Sequence, residues 1–376
     1  MLFTGSVPGA SYGSVQSFGA MVILQEYLEG VFVVQMASEN SENMLGHSPN
    51  SLFALRSFSD LLLDDQADLF SDYIDLIQPH NDDRAIESPA MFELTVNDRL
   101  GLPRRLWCSL HANPLDRNTL ICEFELQDDY MNPLNAARTD GSSWLGRNPR
   151  STTKKSCRET STFDGINRPL RILPSTRKGI GEITAMEALR IVDQIQNLLG
   201  SASTLEALLR ITVSSVRELT GFSHVVVSKC ESERHGLIPP ALAEPSSTEL
   251  AILHQSRNIP QARQVRLVYD REQTCSRMVC RSTENPKQSL DMSYAYLRAM
   301  SPSQVNTLRL NKVRSFMSVN IIGPYEIWGV ISCYSYEQSP MRAPFPARKI
   351  CLIICDTLAR NIERLSYALH LPRRAP

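Results

Sequence analysis

No apolar run in the sequence approaches the roughly 20 residues that a membrane-crossing helix needs, which argues against a helical membrane protein. Charge bias is missing too. The 39 Lys+Arg nearly balance 40 Asp+Glu, a net charge of −1, so no global field drives the chain towards nucleic acid or membrane. The N-terminus, MLFTGSVPGASYGS, lacks the basic stretch and apolar core of a secretory leader. Nine cysteines are scattered through 376 residues, which favours reduced thiols. The best-spaced pair, Cys275 and Cys280, has no second pair or nearby histidine to complete a zinc site. Seven histidines are dispersed, and no Ser/His/Asp set, Gly-rich phosphate loop or carboxylate pair is present. The expectation is a cytoplasmic protein that is not an enzyme and holds no metal, with no direct nucleic-acid binding.

What is present is an ordinary globular composition, 42% hydrophobic and 21% charged, long enough for two or three domains. After a small-residue tail, Ala20 to Leu24 and Val31 to Met36 read as strands joined by a polar turn ending at Gly30. Ser41 to Leu45 reads as a helix closed by Gly46. Short helices follow at Ser48 to Phe53, Ser57 to Leu62 and Gln66 to Ile77, then strands at Ala90 to Val96, Arg104 to Ala112 and Thr119 to Leu126. Residues 135–181 are Ser-, Thr- and Arg-rich with few apolar positions, a basic linker by composition. It could serve nuclear localisation, although Lys154-Lys155 is short for such a signal.

The second half opens on a helix from about Ile183 that Gly200 would end. Ser203-Thr204-Leu205-Glu206 is a helix-start pattern, and Thr220-Gly221-Phe222 stops that helix before a strand at Ser223 to Ser228. Met292 to Leu310 suits a helical region interrupted at Ser301-Pro302. Two strands follow, Ser315 to Ile322 and Glu326 to Tyr336, with Gly323-Pro324 turning between them. A long helix from Pro346 carries one stripe, Ile350, Ile353, Ile354, Leu358, Ile362 and Leu365. With the helix at 183–200 it could form a homodimer bundle, or pack on its own sheet.

Several strings resemble the phytochromes, the fungal branch most closely. They are Gln16-Ser17-Phe18-Gly19, Ala37 to Gly46, Glu123 to Leu126, Val265 to Glu272, Met278 to Ser282, Leu297 to Pro302, Val313 to Ile321, Ile327 to Tyr336 and Ala359 to Tyr367. The resemblance implies an α+β fold, a PAS domain followed by a GAF domain, each a central antiparallel sheet flanked by helices. The domain reading is 1–134 for tail and PAS, 135–181 for the linker, 182–371 for GAF with its exit helix, and 372–376 for a tail. It also implies a figure-of-eight knot, in which a lasso from about Arg266 to Asp291 surrounds Val15.

The family binds a linear tetrapyrrole (biliverdin) and senses light. Its pocket maps here onto Asn258, Ile259, Pro260, Arg266, Arg298, Ser303, Gln304, Ser318 and Tyr334. Arg266 and Arg298 match the arginines that bind the pigment's propionates, and Ser318 a hydroxyl beside them. Elsewhere this sequence departs from the pattern. Asn258 replaces an aspartate, and Gln304 and Tyr334 replace histidines. Ser228 and Thr307 replace tyrosines, and Phe316 a small serine. The attachment cysteine becomes Ser303 at one family position, and residues 1–15 hold none at the other. The resemblance therefore implies a photoreceptor sensory module with weakened pigment binding; the alternative is a pigment-free dimerisation or partner-binding module.

Overall fold

The structure is a computed structural model, and it describes residues 13–28, 30–78, 89–129, 131–132, 185–229, 265–281, 290–323, 327–336 and 340–370. The chain divides into two compact units, 1–129 with 272–302, and 130–271 with 303–376. The expected linker at 135–181 and the Asn258-Ile259-Pro260 segment lie outside the described residues.

The first unit is built on a seven-stranded antiparallel sheet. Its strands are β1 (Ser14–Gln16), β2 (Ala20–Leu28), β3 (Val31–Ser38), β4 (Ala90–Asn97), β5 (Pro103–Asn113), β6 (Asp116–Leu126) and, from far along the chain, β9 (Cys275–Cys280). The order across the sheet is β1-β9-β3-β2-β6-β5-β4. Between β3 and β4 come α1 (Ser41–Leu45), α2 (Pro49–Phe53), a 3-10 turn (Phe58–Leu61) and α3 (Asp64–Ile77). Strand alternation sends Val22, Leu24, Leu110, Cys122 and Phe124 into one core, where Phe58 lies 5.4 Å from Phe70 and 5.8 Å from Phe124. Gly46 caps α1 at φ 78°, the left-handed conformation that favours glycine. Asn40 donates to the carbonyls of Ser17 and Gly19 at 3.1 and 2.7 Å, tying the Gln-Ser-Phe-Gly segment to the start of α1.

The second unit holds a four-stranded antiparallel sheet, ordered β7-β11-β10-β8. Its strands are β7 (His224–Lys229), β8 (Val265–Val268), β10 (Ser315–Ile322) and β11 (Ile327–Ser335). Its helices are α4 (Ala185–Ser201), α5 (Leu205–Thr220), α6 (Pro302–Leu310) and α7 (Phe345–His370). Thr204 caps α5 by accepting the Ala207 N–H at 3.2 Å. In α7 the residues Ile350, Ile354, Leu358 and Ile362 are buried within this unit, so much of the expected stripe is used by its own fold. Among the described residues no helix is long and apolar enough to cross a membrane.

Two expectations are corrected. Residues 290–301 form turns and an extended stretch, and only Pro302–Leu310 is helical. The backbone of 297–299 is spent on other partners: Leu297 C=O accepts from Gln16 N–H at 2.9 Å, and Ala299 N–H donates to Ser14 C=O at 2.8 Å. In α4 the helix runs through Gly200 to Ser201. The first of these findings bears on the expected lasso. Strand β1 pairs with β9 along Ser14–Gln16 on one edge and is bridged on the other through Val15 and Arg298, so both of its edges are held.

Candidate functional site

The second unit's sheet has two unlike faces, because alternate strand residues point in opposite directions. One face carries Met317, Val319, Ile321, Ile331 and Cys333, all fully buried. Helix α7 lies against it: burial raises the pKa of the Cys333, Cys351 and Cys355 thiols, Cys351 adds to the rise at Cys333, and both add to the rise at Cys355. All three are therefore neutral, inert thiols.

The opposite face is ordered in rows by strand register. One row runs Arg266–Ser318–Ser332–Val226 across β8, β10, β11 and β7. A second runs Val268–Phe316–Tyr334–His224. A third contains Asn320–Val330–Ser228. The first row sets a guanidinium beside two buried hydroxyls, a combination suited to a carboxylate. The second row is aromatic. The rings of Phe316 and Tyr334 are 5.3 Å apart at 44°, and the two residues keep only 1% and 4% of their surface exposed. Tyr336 stacks on Tyr334 at 6.5 Å, and His224 meets Tyr336 edge-on at 5.0 Å. Gly329 allows β7 to lie this close, since a Cβ there would strike the Ser228 carbonyl.

Of the site residues expected from sequence, Arg266 and Ser318 are brought opposite each other, with Tyr334 in the neighbouring row. Ser303 and Gln304 lie on the first turn of α6, the former exposed and the latter half-buried. Arg298 falls in the other compact unit, half-buried beside β1. Burial lowers its pKa, and the nearby Asp291 carboxylate partly offsets this. Ser332 and Asn320 share the polar face but were not singled out by sequence. The available signal was the alternation of the two strands.

The GAF domain family matches residues 204–364, and the PAS fold family matches residues 10–127. A bacteriophytochrome of Pseudomonas aeruginosa is 28% identical over 188 residues, 48% of this chain and 25% of that protein. The chain is a PAS–GAF region of the phytochrome type. Cyanobacterial phytochrome B of Nostoc is 30% identical over 162 residues, 41% of this chain and 21% of its own length. The PAS–GAF region thus spans about a quarter or less of these relatives. In three dimensions it resembles the Stigmatella aurantiaca phytochrome photosensory core module, with a TM-score of 0.65 at 18% identity, covering 97% of this chain and 60% of the other. The chromophore-binding domain of Stigmatella aurantiaca phytochrome P1 aligns at a TM-score of 0.63 and 19% identity, covering 93% of this chain and 95% of the other.

Proposed function

We propose that this chain is a phytochrome-type sensory module whose GAF core works without an attached tetrapyrrole. It acts in the cytoplasm as a homodimer and passes its signal through the exit helix α7. One observation carries the pigment-free reading. The Phe316 and Tyr334 rings are packed and buried on the face that also holds Arg266 and Ser318. A linear tetrapyrrole brings two carboxylates and a long conjugated plane. The Arg266–Ser318 pair suits one carboxylate, but the row beside it is filled by side chains. Ser303 offers a hydroxyl at one of the two positions where the family has an attachment thiol, so a thioether cannot form there. The residues present at that position therefore do not fit a covalently held pigment.

The second reading is a working photoreceptor that binds biliverdin non-covalently, and the Arg266–Ser318 pair favours it. Co-expression with a heme oxygenase separates the two. Folded protein with no red absorption band is expected, and a band that shifts under red light would overturn the pigment-free reading. Support for the dimer comes from apolar residues left in solvent on the two candidate helices. Met186 and Leu189 on α4 are 74% and 63% exposed, and Tyr367 on α7 is 63% exposed. A mass measurement in solution tests this, and a monomer at high concentration would refute it.

A further inference from the structure

Glu123 lies on β6 in the first unit, pointing away from the core that its neighbours Cys122 and Phe124 enter. Its side chain is fully buried. One carboxylate oxygen accepts the Leu297 N–H at 2.6 Å, from 174 residues away in sequence. The other accepts the Ser109 hydroxyl at 3.4 Å.

Leu297 is the more informative partner, because the structure holds it in three ways. Its carbonyl accepts from Gln16 on β1 at 2.9 Å. Its methyl groups fill the space over Gly19, where an added Cβ would come within 2.6 Å of one of them. Its amide goes to Glu123. The β1 ladder does not serve that amide: the Gln16 carbonyl, the acceptor an antiparallel strand would offer, takes the Gly19 N–H at 3.3 Å. A buried N–H needs an acceptor from somewhere. Glu123 supplies it.

We infer that Glu123 is a positioning residue: its carboxylate pins residues 297–299 across β1 and thereby fixes where Arg298 stands. Arg298 bridges Val15, and Ala299 donates to Ser14, so a shift at Leu297 loosens the whole second edge of β1. The pin works by reach. A strand residue from β6 must extend a full glutamate side chain to meet a backbone amide on the covering segment.

Hydrogen exchange on the whole chain, resolved at the Leu297, Gln16 and Ala299 amides, tests this with two variants. Glu123→Gln keeps an acceptor oxygen at the same reach, and protection at Leu297 should stay within about threefold of the parent. Glu123→Asp keeps the charge but draws the oxygen back by one methylene. There Leu297 should exchange at least about tenfold faster, the scale of one lost hydrogen bond, with Gln16 and Ala299 following and the Leu110 amide of β5 unchanged. An Asp variant that unfolds while the Gln variant stays folded and protected supports the same conclusion. Retained protection in the Asp variant would overturn the pin. Equal loss in both variants, failure of the Gln variant alone, or uniform loosening of the unit would also overturn it.

Discussion

The two sheets share a plan and differ in how the second face is filled. Each packs one apolar face against its own core. In the first unit the other face bears Ser109, His111, Asn113 and Glu123, all buried. It is met by a separate stretch of chain, held through backbone groups. Asn113 accepts the Asp291 N–H at 3.2 Å, and Glu123 accepts that of Leu297. In the second unit the strands themselves supply the filling, through the Phe316 and Tyr334 rings. A face held by backbone bonds depends on acceptors and on close approach. A face filled by rings depends on volume. The same kind of substitution should therefore register differently in the two units.

The sharpest break of this comparison is Phe316→Ala. Removing a fully buried ring should lower the second unit's stability by about 3–5 kcal/mol, read as a shift in its denaturant midpoint. A loss below about 1 kcal/mol would mean the ring is not packed as described. Acid should act on the first unit instead. Burial brings the His111 imidazole down to about 4 from an ordinary 6.5, with Asp291 opposing the shift. Among the described residues neither ring nitrogen has a hydrogen-bond partner. Between those values the unfolded chain binds the proton and the fold resists it. Stability is thus complete above about pH 6.5 and falls by about 3 kcal/mol as the pH drops to 4. His111→Leu should flatten the profile across that window, and an unchanged slope would assign acid sensitivity elsewhere.

Gly19→Ala comes next. Its Cβ would meet Leu297 and, at 2.8 Å, the backbone carbonyl of Phe124, which cannot swing away. A loss of about 1–3 kcal/mol in the first unit, with the second unaffected, is the expected result of calorimetry. Smallest of all is Glu206→Ala. The Glu206–Arg210 pair on α5 closes to 2.6 Å, yet both side chains are more than half exposed. A change within about 0.5 kcal/mol is expected, and a larger one would show that ion pairs on this helix matter more than the sheet comparison allows.

Much of this arrangement was legible in the sequence where local rules apply. The β2–β3 hairpin, the Gly46 cap and the three strands from Ala90 to Leu126 follow from alternation and turn chemistry. The stretch at 292–300 was not legible. Its apolar spacing suits a helix, but its backbone bonds run to β1 and β6, and nothing local signals partners so distant. At the candidate site, Arg266, Ser318 and Phe316 were marked by family resemblance, and strand register sets them on one face. Ser332 and Asn320 were overlooked because an ordinary serine or asparagine on a strand gains meaning only from register. Glu123 was visible as a letter in a string, while its burial depends on a covering segment 174 residues away.

The distance between β1 and its partners also has a consequence in time. Ser17 donates its hydroxyl to the Thr274 carbonyl, 257 residues further along. A ribosome adding about 5–20 residues per second would leave this N-terminal strand waiting roughly 10–50 s for the chain that will hold it. Throughout that interval the sheet stands with an open margin at β3, since β9 has yet to be made. Newly made protein is then most exposed to wrong strand pairing, and a chaperone that shields an unfinished edge would do its useful work in that window.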